Sequence, residues 1–247
     1  RLSGTEHVAK HPLSQHRDYT RVALVVMTSD KGLAGALNSS VLKRAVDAVS
    51  EFKPEQVSVY AYGKKADEYF SRRGYTIAAR YENKSDAIEI ETMEELSNEL
   101  TRAFLATEFD KVTVVYSNFK STFEQIATER RLLPLSMGAL NDIVAGIIPV
   151  KGKFSEIKEI AAPASYSVEP DDEDILSVLV PRLVAVALYH MLLESKASEH
   201  SARMVAMKNA SDKSKEVVRD LTRKYNKVRQ AAITREVSEI ISGSLVT

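Results

Sequence analysis

The stretch Ser29-Asp30-Lys31-Gly32-Leu33-Ala34-Gly35 gathers a hydroxyl, a carboxylate, a lysine and two glycines. Between a strand and a helix, such a stretch can cradle a phosphate on backbone N–H groups. It lacks the three-glycine dinucleotide pattern and the Gly-Lys-Ser/Thr ending of a P-loop. The next apolar run ends in Tyr60-Ala61-Tyr62, with no acid to hold a ribose. A structural tight turn is therefore expected at residues 29–35 in preference to a nucleotide site.

Three further groups carry reactive side chains. His7, His11 and His16 have no carboxylate or cysteine cluster beside them, and Pro12 interrupts any regular helical register, so solvated loop histidines are expected. Ser198-Glu199-His200-Ser201 holds the letters of a hydrolase, but neighbours on a helix point in different directions and cannot form a triad alone. His200 reads as a helix-surface or interface residue. Between Arg203 and Arg235 there are ten Lys or Arg against three Asp or Glu. That strip could grip nucleic-acid phosphate or a protein scaffold, and it supports the alternative function. Against it, Asp212, Glu216 and Asp220 interleave as ion-pair partners, and no aromatic stacking set accompanies the strip. No catalytic residue, cofactor site or metal site is expected.

The elements that must position these groups are legible from periodicity. VALVVM at 22–27 is a short, β-branched run, as in a central parallel strand covered on both faces. Leu37, Val41, Ala45, Ala48 and Phe52 then recur at helical spacing. The unit repeats, with strand VSVYAY at 57–62, a short helix over 63–72, and a helix face at Ile90, Met93, Leu96, Leu100 and Phe104. A third strand, VTVVY, covers 112–116. Alternating strands and helices imply a small, doubly wound, mostly parallel sheet domain over 21–165, following a leader loop at 1–20. The Gly- and Pro-bearing stretch 138–165 reads as irregular and peripheral.

From residue 166 to 247 the pattern becomes that of one very long C-terminal helix. Pro181–Ser242 has no further Gly or Pro and keeps apolar residues at Val217, Leu221, Tyr225, Val228 and Ala232, then at Ile233, Val237 and Ile240. Pro181 fits a first helical turn and Gly243 a C-terminal stop. Such a helix would extend ~90 Å at 1.5 Å per residue. Its apolar seam needs a partner, because most helix stability in proteins comes from packing.

Composition narrows the function classes. With 34 basic and 34 acidic residues the net charge is zero, so any charge-driven partner must be recognised locally. There is no cysteine, which excludes thiol catalysis and disulfides. No apolar run approaches the roughly 18 residues of a membrane span, and the N-terminal residues are too polar for a secretory signal.

Three of these segments resemble the gamma, or central shaft, subunit of F-type ATP synthases. Ser29 to Asn38, SDKGLAGALN, is similar to that family's loop after its first strand. Ser198 to Asp212, SEHSARMVAMKNASD, is similar to its most distinctive block. Tyr225 to Glu236, YNKVRQAAITRE, followed by Ile240-Ile241-Ser242-Gly243, is similar to its C-terminal signature. The resemblance spans the chain from about Val22, although 63–165 matches mainly in pattern.

The resemblance implies a fold of a Rossmann-like α/β foot plus a coiled coil, and a non-catalytic rotor role. The shaft would couple rotation of the c ring, driven by protons or sodium, to nucleotide-state changes in the alpha/beta hexamer. Implied partners are the alpha, beta and epsilon subunits and the c ring, with no nucleic acid and no insertion into the bilayer. The implied location is the cytoplasmic face of a bacterial plasma membrane. Arg203, Gln230, Thr234 and Glu236 would make polar contacts to beta-subunit loops, and Tyr166 and Glu169 would lie near the foot. The family's long N-terminal helix would precede residue 1. Its counterpart here is a separate helix, a part of a longer chain, or absent in an unusual member.

Overall fold

The computed structural model describes residues 12–15, 17–85, 90–135 and 172–244. The chain divides into two units, residues 1–203 and 204–247. The first is built on a five-stranded sheet of order β3-β2-β1-β4-β5. The strands are β1 (Val22–Met27), β2 (Val57–Tyr62), β3 (Thr76–Tyr81), β4 (Lys111–Ser121) and β5 (Glu124–Leu133). β1 pairs in parallel with β2 and β4, β3 pairs in parallel with β2, and β5 closes the far edge antiparallel to β4. Every residue of β1 is buried, as the unbroken apolar run predicts for a strand covered on both faces.

Strand alternation sorts those residues between two cores. Val22, Leu24 and Val26 meet α1 (Leu37–Ala48) through Val41, Leu42 and Ala45, and α2 (Lys64–Ser71) through Ala66 and Phe70. Ala23, Val25 and Met27 meet α3 (Ile90–Leu105) through Met93, Leu96, Leu100 and Phe104. On the same face lie Val184, Ala187, Leu188, Met191 and Leu192 of α4 (Asp172–Ser244). The result is a three-layer, doubly wound arrangement.

Four features differ from the sequence expectation. β3 and β5 are two further strands, both at sheet edges. Part of the 1–20 leader is not exposed: Leu13 is fully buried in the larger core, and Arg17 Nη1 donates to the Phe104 carbonyl at 3.1 Å. One apolar side chain in a polar stretch has no periodicity to announce it. Pro181 lies inside α4, not in its first turn. An interior proline costs about 3 kcal/mol, and here Val184 and Ala185 pack in the turn after it. The Pro181 carbonyl also accepts a 2.9 Å hydrogen bond from Ser97 Oγ. Finally, α4 comprises 73 residues, Asp172–Ser244, and so begins nine residues before Pro181. The stretch 138–165, and the boundary expected near 165, lie outside the described residues.

Candidate functional site

The loop after β1 spends its polar atoms on the protein itself. Asp30 Oδ1 accepts from the Lys64 N–H at 2.7 Å and Oδ2 from the Asn83 N–H at 2.9 Å. Thr28 Oγ1 accepts from the Ala66 N–H at 2.9 Å. The first turn of α2, where an anion would be held by free N–H groups, is therefore capped by β1-loop oxygens. Ser29 and Asn38 close the loop on itself, with Asn38 Nδ2 donating to Ser29 Oγ at 2.7 Å. Gly63 permits the close approach: its φ is +97°, and a Cβ there would lie 2.1 Å from the Thr28 carbonyl oxygen. Residues 29–35 form a turn between β1 and α1.

In open α/β sheets, ligands bind in the crevice beyond the carboxyl ends of the strands, where the strand order reverses. Here α4 bonds to backbone and side chains in the carboxyl-terminal half of β4 and just beyond β3. Ser198 Oγ donates to the Ser117 carbonyl at 3.0 Å, and Asn118 Nδ2 donates to Glu194 Oε2 at 2.6 Å. Lys196, only 7% exposed, donates from Nζ to the carbonyls of Asn83 and Ser85. A separate cleft of about 370 Å³ lies at the carboxyl ends of β2 and β3. Its cations are matched to acids, Arg80 to Asp67 at 2.9 Å and Lys84 to Glu82 at 2.7 Å. Among the described residues, no group of three or more His, Asp or Glu could hold a metal ion.

The hydrolase-like letters disperse as expected from helical geometry. Ser198 bonds to β4, while Glu199 pairs with Arg203 one turn on, through Oε1 and Nη2 at 2.5 Å. His200 is on the exposed side of α4. His7, His11 and His16 lie outside the described residues.

From Met204 onward the helix is bare. Met204, Met207, Val218, Leu221, Tyr225, Val228, Ile233, Val237 and Ile240 are all about half exposed or more, Tyr225 by 66% and Val228 by 68%. The basic strip on the same stretch is laced with acids, as Lys213 pairs with Glu216 at 2.7 Å and Arg235 with Glu239 at 2.9 Å. Of the residues expected at an interface, Arg203 is largely covered by its pairing with Glu199 in the first unit. Gln230, Thr234 and Glu236 are exposed in the second. Thr234 Oγ1 donates to the Gln230 carbonyl at 2.9 Å, one turn back. Tyr166 and Glu169 lie outside the described residues. Sequence reasoning missed Lys196 and Glu194, because charged residues on a long helix read as solvated; the neighbouring small residues Ser195 and Ser198 were the available signal.

An apolar seam left bare from Met204 to Ile241 is the kind of surface that contact with another chain covers. The ATP synthase family model matches residues 1–245. The ATP synthase gamma chain of Staphylococcus epidermidis is 35% identical over 98% of this chain and 80% of its own length. That of Staphylococcus aureus is 36% identical, also over 98% of this chain and 80% of its own. The chain belongs to the ATP synthase gamma-chain family. Its fold is similar to a chain from the central stalk and c ring of the Tetrahymena thermophila mitochondrial ATP synthase, with TM-score 0.61 and 23% identity. That match covers 85% of this chain and 84% of the other. A chain of the Euglena gracilis mitochondrial ATP synthase gives TM-score 0.64 at 17% identity, covering all of this chain and 80% of the other.

Proposed function

We infer that this chain is the central rotor shaft of an ATP synthase, coupling c-ring rotation to nucleotide-state changes in an alpha/beta hexamer. The observation that carries the reading is the exposed apolar seam on α4 from Met204 to Ile241, in a chain of this family. An isolated helix of this kind is marginal in water, so its seam is built to be covered. The antiparallel N-terminal helix of the family would cover part of it and the hexamer the rest. Residues 21–165 serve as the foot, contacting epsilon and the c ring with Tyr166 and Glu169 nearby, and 166–247 serve as the coil.

The chain has no active site of its own in this reading, and nucleotide chemistry belongs to the beta subunits. A shaft biases a beta subunit only by contacting its open and closed forms with different free energies. Arg203, Gln230, Thr234 and Glu236 supply directional polar contacts to beta-subunit loops as the coil turns. The assembly sits on the cytoplasmic face of a bacterial plasma membrane. No helix among the described residues is long and apolar enough to cross that membrane.

The test is co-purification with alpha and beta subunits, with and without a supplied N-terminal helix, followed by an ATPase assay. An active assembly holding one copy of this chain is expected, and no turnover from the chain alone. Failure to assemble in both forms would overturn the reading.

A further inference from the structure

Rotation about the axis of α4 is resisted only by contacts placed off that axis. Apolar burial has no preferred direction, so the packing of Leu188, Met191 and Leu192 opposes separation more than rolling. Hydrogen bonds weaken steeply with distance and angle and do oppose rolling. The described residues place such bonds on both flanks of the apolar stripe. On one flank Glu194 accepts from Asn118 Nδ2 and Ser198 donates to the Ser117 carbonyl, both on β4. On the other, Lys196 donates to the carbonyls of Asn83 and Ser85, in the segment leaving β3. With 3.6 residues per turn, Lys196 lies about 160° around the helix from either Glu194 or Ser198.

Both jaws are anchored in the sheet. Asn83 is buried, its N–H donates to Asp30 and its Nδ2 donates to the Thr28 carbonyl at 2.6 Å, so the Lys196 contact is tied to the end of β1. Asp30 in turn caps α2. β4 is the neighbour of β1 on the other side. A buried ammonium is retained only where oxygens replace its water, and removing it takes a donor from the carbonyl of the buried Asn83 and from that of the exposed Ser85.

We propose that Lys196, opposed by Glu194 and Ser198, forms a two-sided clamp that locks α4 against rolling on the sheet and so carries torque between the α/β body and the shaft helix. Lys196 is then a positioning residue for energy coupling, and this role rests on the shaft reading above. It predicts that the clamp matters for coupled work and leaves the rate of hydrolysis unchanged.

The experiment compares the assembled enzyme in membrane vesicles carrying the unmodified chain, Lys196→Met, Ser198→Ala, or Val184→Ala as a packing control. ATP hydrolysis, ATP-driven ion pumping and thermal stability are measured side by side. Lys196→Met is expected to hydrolyse ATP at the normal rate while pumping fewer ions per ATP, with Ser198→Ala showing a smaller loss in the same direction. Val184→Ala, whose side chain is fully buried in the apolar contact, is expected to lower thermal stability without changing that ratio. An unchanged ratio in Lys196→Met, or a fall in Val184→Ala matching its loss of stability, would overturn the clamp. If Lys196→Met does not assemble, the ratio in Ser198→Ala decides. Failure of the unmodified chain to assemble would instead sink the shaft reading, and the clamp's role with it.

Discussion

Residues 184–199 and 204–241 of α4 share one helix and the same apolar spacing, yet Leu188 is 0% exposed and Leu221 is 59% exposed. Period alone fixes which side chains share a face and says nothing about what covers that face. The first stretch is held by a sheet of its own chain, with polar contacts on each flank. Along the second, the ion pairs run within the helix, such as Lys215 with Asp212 at 3.7 Å and Arg223 with Asp220 at 3.8 Å. Such exposed pairs contribute a few tenths of a kcal/mol each. The helix therefore has one end whose stability is internal and another whose stability must come from partners.

The largest break in that comparison is expected from Leu188→Ala, which should cost about 2–5 kcal/mol of body stability in urea denaturation, the range for emptying a packed core site. Gly63→Ala should follow at ~2–3 kcal/mol, because a Cβ meets the Thr28 carbonyl at a backbone conformation that side chains rarely adopt. Urea midpoints near that of the unmodified chain would show that the β1 loop can give way. Both changes act on the first unit and should leave the helical signal of 204–242 responsive to partners as before.

Acidification sharpens the contrast. Burial pushes the Asp110 carboxyl up, but the Thr20 hydroxyl, the backbone N–H groups of Arg21 and Thr20 and the Arg21 charge pull it further down, so its pKa lies below the usual carboxylate value. A depressed folded pKa gives stability that is fully present above the unfolded value near pH 4 and is lost as pH falls through the folded one. Urea midpoints at neutral and low pH should thus diverge for the native chain. Asp110→Asn should start lower at neutral pH and lose less on acidification; an identical pH slope would remove Asp110 from the account. The smallest effect is expected from Leu221→Ala, within about 0.5 kcal/mol in the isolated chain, as for exposed sites generally. In the assembly the same change should lower complex stability, and a null result there would remove Leu221 from the interface.

Much of this organisation was legible in the residues. VALVVM declared a central strand because both its faces are apolar, and the 3-and-4 spacing after Val217 declared an unpartnered seam. β3 and β5 escaped because edge strands alternate weakly: TIAARY is short and bears an arginine, and EQIATERRLL carries four charges. Lys196 and Asn83 escaped for another reason. They lie 113 residues apart, and only the folded topology brings a lysine ammonium to the carbonyls beyond β3. The reach of α4 to the carboxyl-terminal half of β4, through Ser198 to the Ser117 carbonyl and Glu194 to Asn118, is a tertiary fact that no local pattern carries.

The most direct test of the shaft reading is to watch the chain turn. It contains no cysteine, so Glu51→Cys at an exposed site of the body gives a single point for a fluorescent or bead label. With alpha, beta and the N-terminal helix assembled and the hexamer fixed to a surface, adding ATP should make the label rotate in one direction. A label that stays still while the complex hydrolyses ATP would contradict the shaft reading.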